Sequence, residues 1–80
     1  MSVKELRKGV ACKVVKVNPA HHASKKLIEM GIVPNCEISV ENIAPMGDPY
    51  IIRVRGYNLA VRKKDLEALE FKMLNQKGDA

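Results

Sequence analysis

Short runs of β-branched residues, each followed by turn residues, dominate the pattern of apolar and polar positions along this chain. Within the runs apolar and polar residues tend to alternate, which is typical of strands that bury one face. Five segments are predicted as strands on this basis: Val10–Val17, Cys36–Ile43, Tyr50–Val54, Leu59–Val61 and Leu69–Phe71. In the second strand Ile43 falls out of phase with Ile38 and Val40, which predicts a β-bulge near Glu41 and Asn42.

The segment Ala23–Gly31 has helical spacing, with Leu27 and Met30 on one face and Gly31 as the expected terminating residue. Asn18 and Pro19 are suited to begin this helical segment. Two turns of helix are not stable alone in water, so we expect Leu27, Ile28 and Met30 to pack on the sheet.

Two more short helical turns are predicted. Ser2–Lys8 has Ser2 as a candidate N-cap and Leu6 as its apolar anchor. Val61–Ala68 predicts a single turn before the last strand.

Glycine, proline and asparagine mark the tight turns. Asn35 follows Pro34 at the position of a type II turn that requires positive φ, and Gly56 supplies a tight hairpin. Short strands with closely spaced turns predict a mostly β fold: a small antiparallel barrel with one or two short helices. We expect a single domain over residues 1–74 and a flexible tail over residues 75–80.

The loop Ala44–Pro49 joins the second and third strands and carries two prolines and a glycine. Prolines restrict the backbone, so the loop is predicted to be stiff and able to present side chains to a partner. The predicted partner-binding residues are Met46, Gly47, Asp48, Tyr50, Arg53 and Arg55. Two structural alternatives remain: Met46 folds back over the barrel, and Asp48 caps its own turn.

The charge is moderately basic, with 14 Lys and Arg against 9 Asp and Glu and a formal net charge of +5 over 80 residues. Such an excess of positive charge is compatible with binding to nucleic acid, to an anionic membrane surface or to an acidic patch on a protein, and it does not distinguish these partners. Cys12 and Cys36 lack the spacing of a metal site and are predicted to be reduced, small apolar residues within strands. We expect a cytoplasmic protein without a membrane span.

His21 and His22 are adjacent, and no other histidine accompanies them. General acid–base catalysis needs a group held in a protected site, so we predict no enzymatic activity and no catalytic residue. Two neighbouring imidazoles make at best a loose surface metal site, which leaves His21 and His22 as weak metal candidates. No cofactor is predicted.

Three blocks, Leu27–Pro34, Ala44–Pro49 and Val54–Arg62, resemble the FeoA family in the correct order. The resemblance covers residues 3–71 and departs at Asn35, where the family has glycine; asparagine tolerates the same backbone geometry. It implies an SH3-like barrel that is a non-enzymatic accessory protein of bacterial ferrous iron uptake. It further implies contact with the cytosolic part of the GTPase-coupled permease FeoB.

Two alternatives stay open. An SH3-like barrel could bind RNA or another nucleic acid through basic residues such as Arg53 and Arg62, although the chain is poor in the aromatic residues on which bases stack. Short edge strands also leave weak self-association open. Contact with a membrane is expected only through the permease.

Overall fold

The computed structural model describes residues 6–74, and the predicted order of elements is confirmed. The elements are β1 Ala11–Val17, α1 Ser24–Glu29, β2 Glu37–Ile43, β3 Tyr50–Val54, β4 Tyr57–Val61, α2 Lys63–Leu66 and β5 Leu69–Met73. Leu6 is buried as expected, whereas the predicted cap at Ser2 and the predicted tail 75–80 lie outside the described residues.

The five strands form one antiparallel sheet in the order β4-β3-β2-β1-β5. Within residues 6–74 no pairing joins β4 to β5, so the predicted barrel is curved but not closed by backbone hydrogen bonds. The reason lies in the connection, because the segment with α2 carries the chain from one edge of the sheet to the other. Leu66 and Ala68 of this connection are buried in the core.

Two irregularities bend the strands. The register of β2 against β3 shifts between Val40 and Asn42, which confirms the predicted bulge. A second shift, between Val14 and Lys16 in β1, is not visible in the sequence pattern. It leaves Val15 exposed beside Lys16, whereas the preceding residue, Val14, is fully buried.

Helix α1 lies within the predicted segment Ala23–Gly31, but Asn18 and Pro19 do not begin it. Gly31 has φ +97°, the left-handed conformation that terminates helices. Asn18 does not start the helix; its Oδ1 accepts the N–H of Ala20 at 3.0 Å and closes a turn of its own. The hydroxyl of Ser24 then donates to the Asn18 carbonyl, which ties the start of α1 to the end of β1.

The predicted turn at Asn35 is confirmed, with φ 75° and a 3.1 Å hydrogen bond from the Cys36 N–H to the Val33 carbonyl. Cys36 lies in this turn and is half-buried, so it is not inside a strand as predicted, whereas Cys12 lies in β1 and is fully buried. Both thiols are free.

One core joins the inner face of the sheet to α1 and α2. Its largest fully buried side chains are Leu27, Ile32, Ile52, Leu66, Val14, Val40, Val54 and Cys12. Leu27 is 1% exposed, but its neighbour Ile28 is 47% exposed, so the expectation that Ile28 packs on the sheet is wrong. Successive helical residues lie about 100° apart, and a six-residue helix turns only one face to the core.

These neighbours provide a matched pair for testing the packing. Leu27→Ala removes a buried side chain and should lower the free energy of unfolding by about 2–5 kcal/mol. Ile28→Ala removes a similar volume from the surface and should change it by less than about 0.5 kcal/mol. Urea unfolding followed by circular dichroism measures both, and equal losses would show that α1 packs by a different face.

Candidate partner-binding surface

The loop between β2 and β3 is fixed by its own backbone. The Gly47 N–H donates to the Ala44 carbonyl at 2.7 Å, and the Ala44 N–H donates to the Pro49 carbonyl at 3.0 Å. Gly47 has φ +89°, which a larger residue would adopt only with strain. Met46, at the tip, is 93% exposed, so it does not fold back over the barrel.

Asp48 connects the loop to the start of α2, in the segment that joins β4 to β5. Its Oδ1 accepts the N–H of Lys63, the first residue of α2, at 2.8 Å. Asp48 therefore caps a helix 15 positions away rather than its own turn. No sequence pattern indicated this pair, because the spacing belongs to neither a helix nor a hairpin.

Tyr50 begins β3 and is only 5% exposed. It lies opposite Val61 of β4, and both side chains belong to the core. Successive side chains of a strand point to opposite faces of the sheet, so Tyr50 lies on the same buried face as Ile52 and Val54. Tyr50 is thus a core residue, and the surface contact predicted for it is not available in this fold.

Arg53 and Arg55 lie at the far end of β3. Arg53 is exposed on the outer face, opposite Ser39 of β2 and Asn58 of β4. Arg55 and Gly56 form the two-residue turn to β4, with φ 52° and 86°. The side-chain carbon Cδ of Arg55 packs near Gly31, 3.6 Å from where a Cβ there would sit.

A shallow groove of about 310 Å³ runs beside the two arginines. Its lining residues are Ala11, Glu37, Ile38, Ser39, Arg53, Arg55, Gly56 and Leu74. β3 has five residues, so at about 3.3 Å per residue the arginines stand roughly 17 Å from the loop. The predicted contact residues therefore form two patches: the loop patch, Met46–Asp48, and the arginine patch, Arg53 and Arg55.

The two histidines stack on each other, with ring centroids 4.6 Å apart. Nδ1 of His21 accepts the Ala23 N–H at 3.1 Å, which engages one of the two ring nitrogens. Nε2 of His22 lies 3.6 Å from Oδ1 of Asp65. Across the described residues, no three His, Cys, Asp or Glu side chains are grouped as metal ligands.

Asp65 is a buried carboxylate that the sequence analysis did not single out. Its Oδ2 lies 3.5 Å from Nε of Arg62, while Oδ1 is buried without a hydrogen bond in the part of the chain described. The Arg62 pair, at the ordinary spacing of i and i+3, is readable from the sequence. The approach of His22 is not, because 43 positions separate it from Asp65.

Burial raises the pKa of the Cys12 thiol to about 11, and the nearby Cys36 adds to the rise. A thiol in this state is a poor nucleophile, because the thiolate is the reactive form. Within residues 6–74, neither helix has the length and hydrophobicity needed to cross a bilayer.

Comparison with known proteins decides the family. The model of the FeoA domain matches residues 1–72. The chain belongs to the FeoA family. The sequence blocks that suggested the resemblance therefore identified it correctly.

Solved structures of two relatives have a similar fold. The FeoA-like protein of Clostridium acetobutylicum is 32% identical, with a TM-score of 0.89 over 100% of this chain and 93% of that one. The FeoA of Stenotrophomonas maltophilia, a zinc complex described as a procaryotic SH3 domain protein, is 22% identical over 90% of this chain and 89% of that one. Its TM-score of 0.74 supports the fold alone and confirms the SH3-like architecture.

A third relative is much longer. The Fe(2+) transport protein A/Fe(2+) transporter FeoB fusion protein of Porphyromonas gingivalis is 31% identical over 75 residues. The match covers 94% of this chain and 9% of the fusion protein. This chain therefore corresponds to a small part of that relative.

The cap at α2 gives a test of the loop. Asp48→Ala leaves the Lys63 N–H without its acceptor and should lower the free energy of unfolding by about 1–2 kcal/mol. Asp48→Asn keeps an acceptor oxygen and should lose less. Met46→Ala, two positions away and exposed, serves as the control, with a change under about 0.5 kcal/mol. If Asp48→Ala and this control have the same midpoint in urea unfolding, the hydrogen bond from Lys63 to Asp48 does not stabilise the protein.

The two thiols should react at different rates with iodoacetamide at pH 8. With a pKa of about 11, on the order of one Cys12 thiol in a thousand is ionised, and the side chain is also inaccessible. Mass spectrometry of the native protein should therefore find Cys36 modified first and Cys12 modified only in urea. Equal native rates would contradict the burial of Cys12.

Proposed function

We propose that this chain is a non-enzymatic accessory protein of bacterial ferrous iron uptake that binds the cytosolic part of a FeoB-type GTPase permease. The observation that carries the proposal is the Porphyromonas gingivalis relative, in which a FeoA region and the transporter FeoB form one polypeptide. Covalent fusion holds two domains at a high effective concentration, which favours domains that contact each other. The protein acts in the cytoplasm and meets the membrane only through the permease.

The loop patch supports a protein contact because it is apolar, exposed and stiff. Met46 is 93% exposed on a loop braced by two backbone hydrogen bonds. Methionine adapts to irregular surfaces, and a braced loop loses little conformational freedom on binding. The arginine patch adds charge that suits an acidic surface on the permease.

Both patches fit within one interface of ordinary size. A stable interface buries about 800 Å² on each partner, a patch roughly 28 Å across. The separation of about 17 Å along β3 is smaller than this span. Tyr50 supports the surface from the core and makes no contact itself.

The alternative of nucleic-acid binding is weakened by the positions of the aromatic residues. Tyr50 and Phe71 are buried, which leaves Tyr57, at 44% exposure, as the single partly exposed tyrosine or phenylalanine ring among residues 6–74. Base stacking needs exposed rings beside the basic residues. We therefore assign the basic residues to a protein partner.

The proposal is tested by measuring the affinity for the full-length permease of the same organism in detergent. Met46→Asp, and Arg53→Glu combined with Arg55→Glu, should each raise the Kd at least tenfold, because each change removes the contact of one patch. Lys25→Glu combined with Lys26→Glu makes the same charge change on exposed positions of α1 and should leave the Kd within about twofold.

Circular dichroism establishes that each variant is folded. If the folded patch variants bind as tightly as the parent chain, the contact lies elsewhere. If the parent chain does not bind the permease at all, the proposed function is wrong.

A further inference from the structure

Strand β4 is an open edge of the sheet. It pairs with β3 on one side, and among residues 6–74 no backbone group pairs with its other side. An edge of this kind presents main-chain donors and acceptors to a further strand.

The turn geometry determines which groups are unpaired. Arg55 and Gly56 both have positive φ, as in the two-residue turns of tight hairpins. In such hairpins the flanking pair, here Val54 and Tyr57, exchanges both hydrogen bonds, and alternate pairs do the same. The N–H and C=O groups of Asn58 and Ala60 therefore point away from β3.

The side chains of β4 leave this edge unprotected. The strand reads Tyr-Asn-Leu-Ala-Val, without a charged residue or a proline. The other edge of the sheet, β5, carries Glu70 and Lys72, the kind of residues that discourage pairing. Of the two edge strands in the described sheet, β4 is therefore the one that combines unpaired backbone groups with uncharged side chains.

The inner side of β4 offers an apolar surface for an added strand. Leu59 is half-buried against the core, and Tyr57 is 44% exposed. The Tyr57 hydroxyl donates to the Met30 carbonyl, which holds the ring in place. A strand about 4.8 Å from β4 would cover both side chains.

The charge around the edge selects the occupant. Residues 49–64 contain five basic side chains and no acidic one. Arg53 and Arg55 lie towards the turn, and Arg62, Lys63 and Lys64 follow the other end. The carboxylates next to this segment in the sequence are engaged, Asp48 with the Lys63 N–H and Asp65 with Arg62. Glu37 of β2 lines the groove beside Arg53 and Arg55, so the basic residues outnumber the acidic ones around the edge.

A second copy of this chain is a poor occupant. Antiparallel pairing of two β4 edges would bring the arginine turn of one copy beside the basic end of the other, and like charges in contact repel. An acidic strand meets opposite charge at both ends instead. A nucleic acid matches the charge but cannot offer the alternating N–H and C=O groups that an edge strand pairs with.

We propose that β4 is a docking edge for an extended acidic segment of a partner protein, which adds as a sixth strand through the backbone groups of Asn58 and Ala60. Main-chain hydrogen bonds provide the attachment, Tyr57 and Leu59 receive the apolar residues, and the flanking arginines and lysines select acidic ones. This surface shares Arg53 and Arg55 with the proposed permease contact and is separate from the loop patch, and the peptide experiment below tests it without the permease.

The test uses a blocked eight-residue peptide of alternating glutamate and valine, with a lysine–valine peptide of the same length as the control. Amide hydrogen exchange of the ¹⁵N-labelled protein is the readout. In the free protein the amides of Asn58 and Ala60 should exchange rapidly, while those of Tyr57, Leu59 and Val61 are protected. The glutamate peptide should slow exchange at Asn58 and Ala60 at least tenfold, and the lysine peptide should not.

Variants separate edge pairing from simple charge attraction. Ala60→Pro removes an outward N–H without breaking a bond to β3 and should raise the Kd of the peptide at least tenfold. Ala60→Ser keeps the N–H and should bind as the parent does. Ala60→Glu retains the fold and the N–H but repels the peptide, so it tests the edge even if the proline variant is unfolded.

Three results would overturn the inference. One is chemical-shift change at Arg53 and Arg55 without protection of the edge amides. A second is equal binding of the lysine peptide or displacement by a single-stranded oligonucleotide. The third is protection of Asn58 and Ala60 that rises with protein concentration alone, which would assign the edge to a second copy.

Discussion

The pairing of β1 with both β2 and β5 is the constraint on which the rest of the structure depends. Cys12 of β1 lies opposite Met73 of β5. The pairing of β1 with β5 therefore brings together residues close to the two ends of the described chain. Contacts between distant residues form only after a long loop is closed, at a cost in conformational entropy. Burial of Cys12 and Val14 in the core offsets that cost.

The connection from β4 to β5 completes the fold where strand pairing stops. Leu66 of α2 is fully buried, and the N-terminus of α2 is held by Asp48 from the loop between β2 and β3. One carboxylate therefore couples the loop, the short helix and the open side of the sheet. The stiffness of the loop comes from this contact as well as from its prolines and its internal hydrogen bonds.

The same arrangement accounts for the surfaces available to partners. A chain of 80 residues has room for one small core, and its groove beside Arg53 is shallow. Because the segment with α2 carries the chain from one edge of the sheet to the other, β4 pairs with β3 alone among residues 6–74, on the side where basic residues are concentrated. This member of the FeoA family exposes an apolar side chain at the tip of a braced loop, Met46, positive charge at Arg53 and Arg55 and, within residues 6–74, unpaired backbone groups along β4.

Much of the fold was decided by the sequence itself. Local steric preferences and the spacing of apolar residues predict the five strands, the bulge of β2, the turn at Asn35 and the end of α1 at Gly31. These features are predictable because each depends on residues within a few positions of one another. What only the tertiary structure decided involves distant partners: Asp48 capping α2, His22 facing Asp65, Tyr50 turned into the core and Ile28 left outside it. The separation of Met46 from Arg53 by the length of β3, and the open edge of β4, are likewise set by how the strands assemble. No local pattern encodes which edge of a sheet finds a partner.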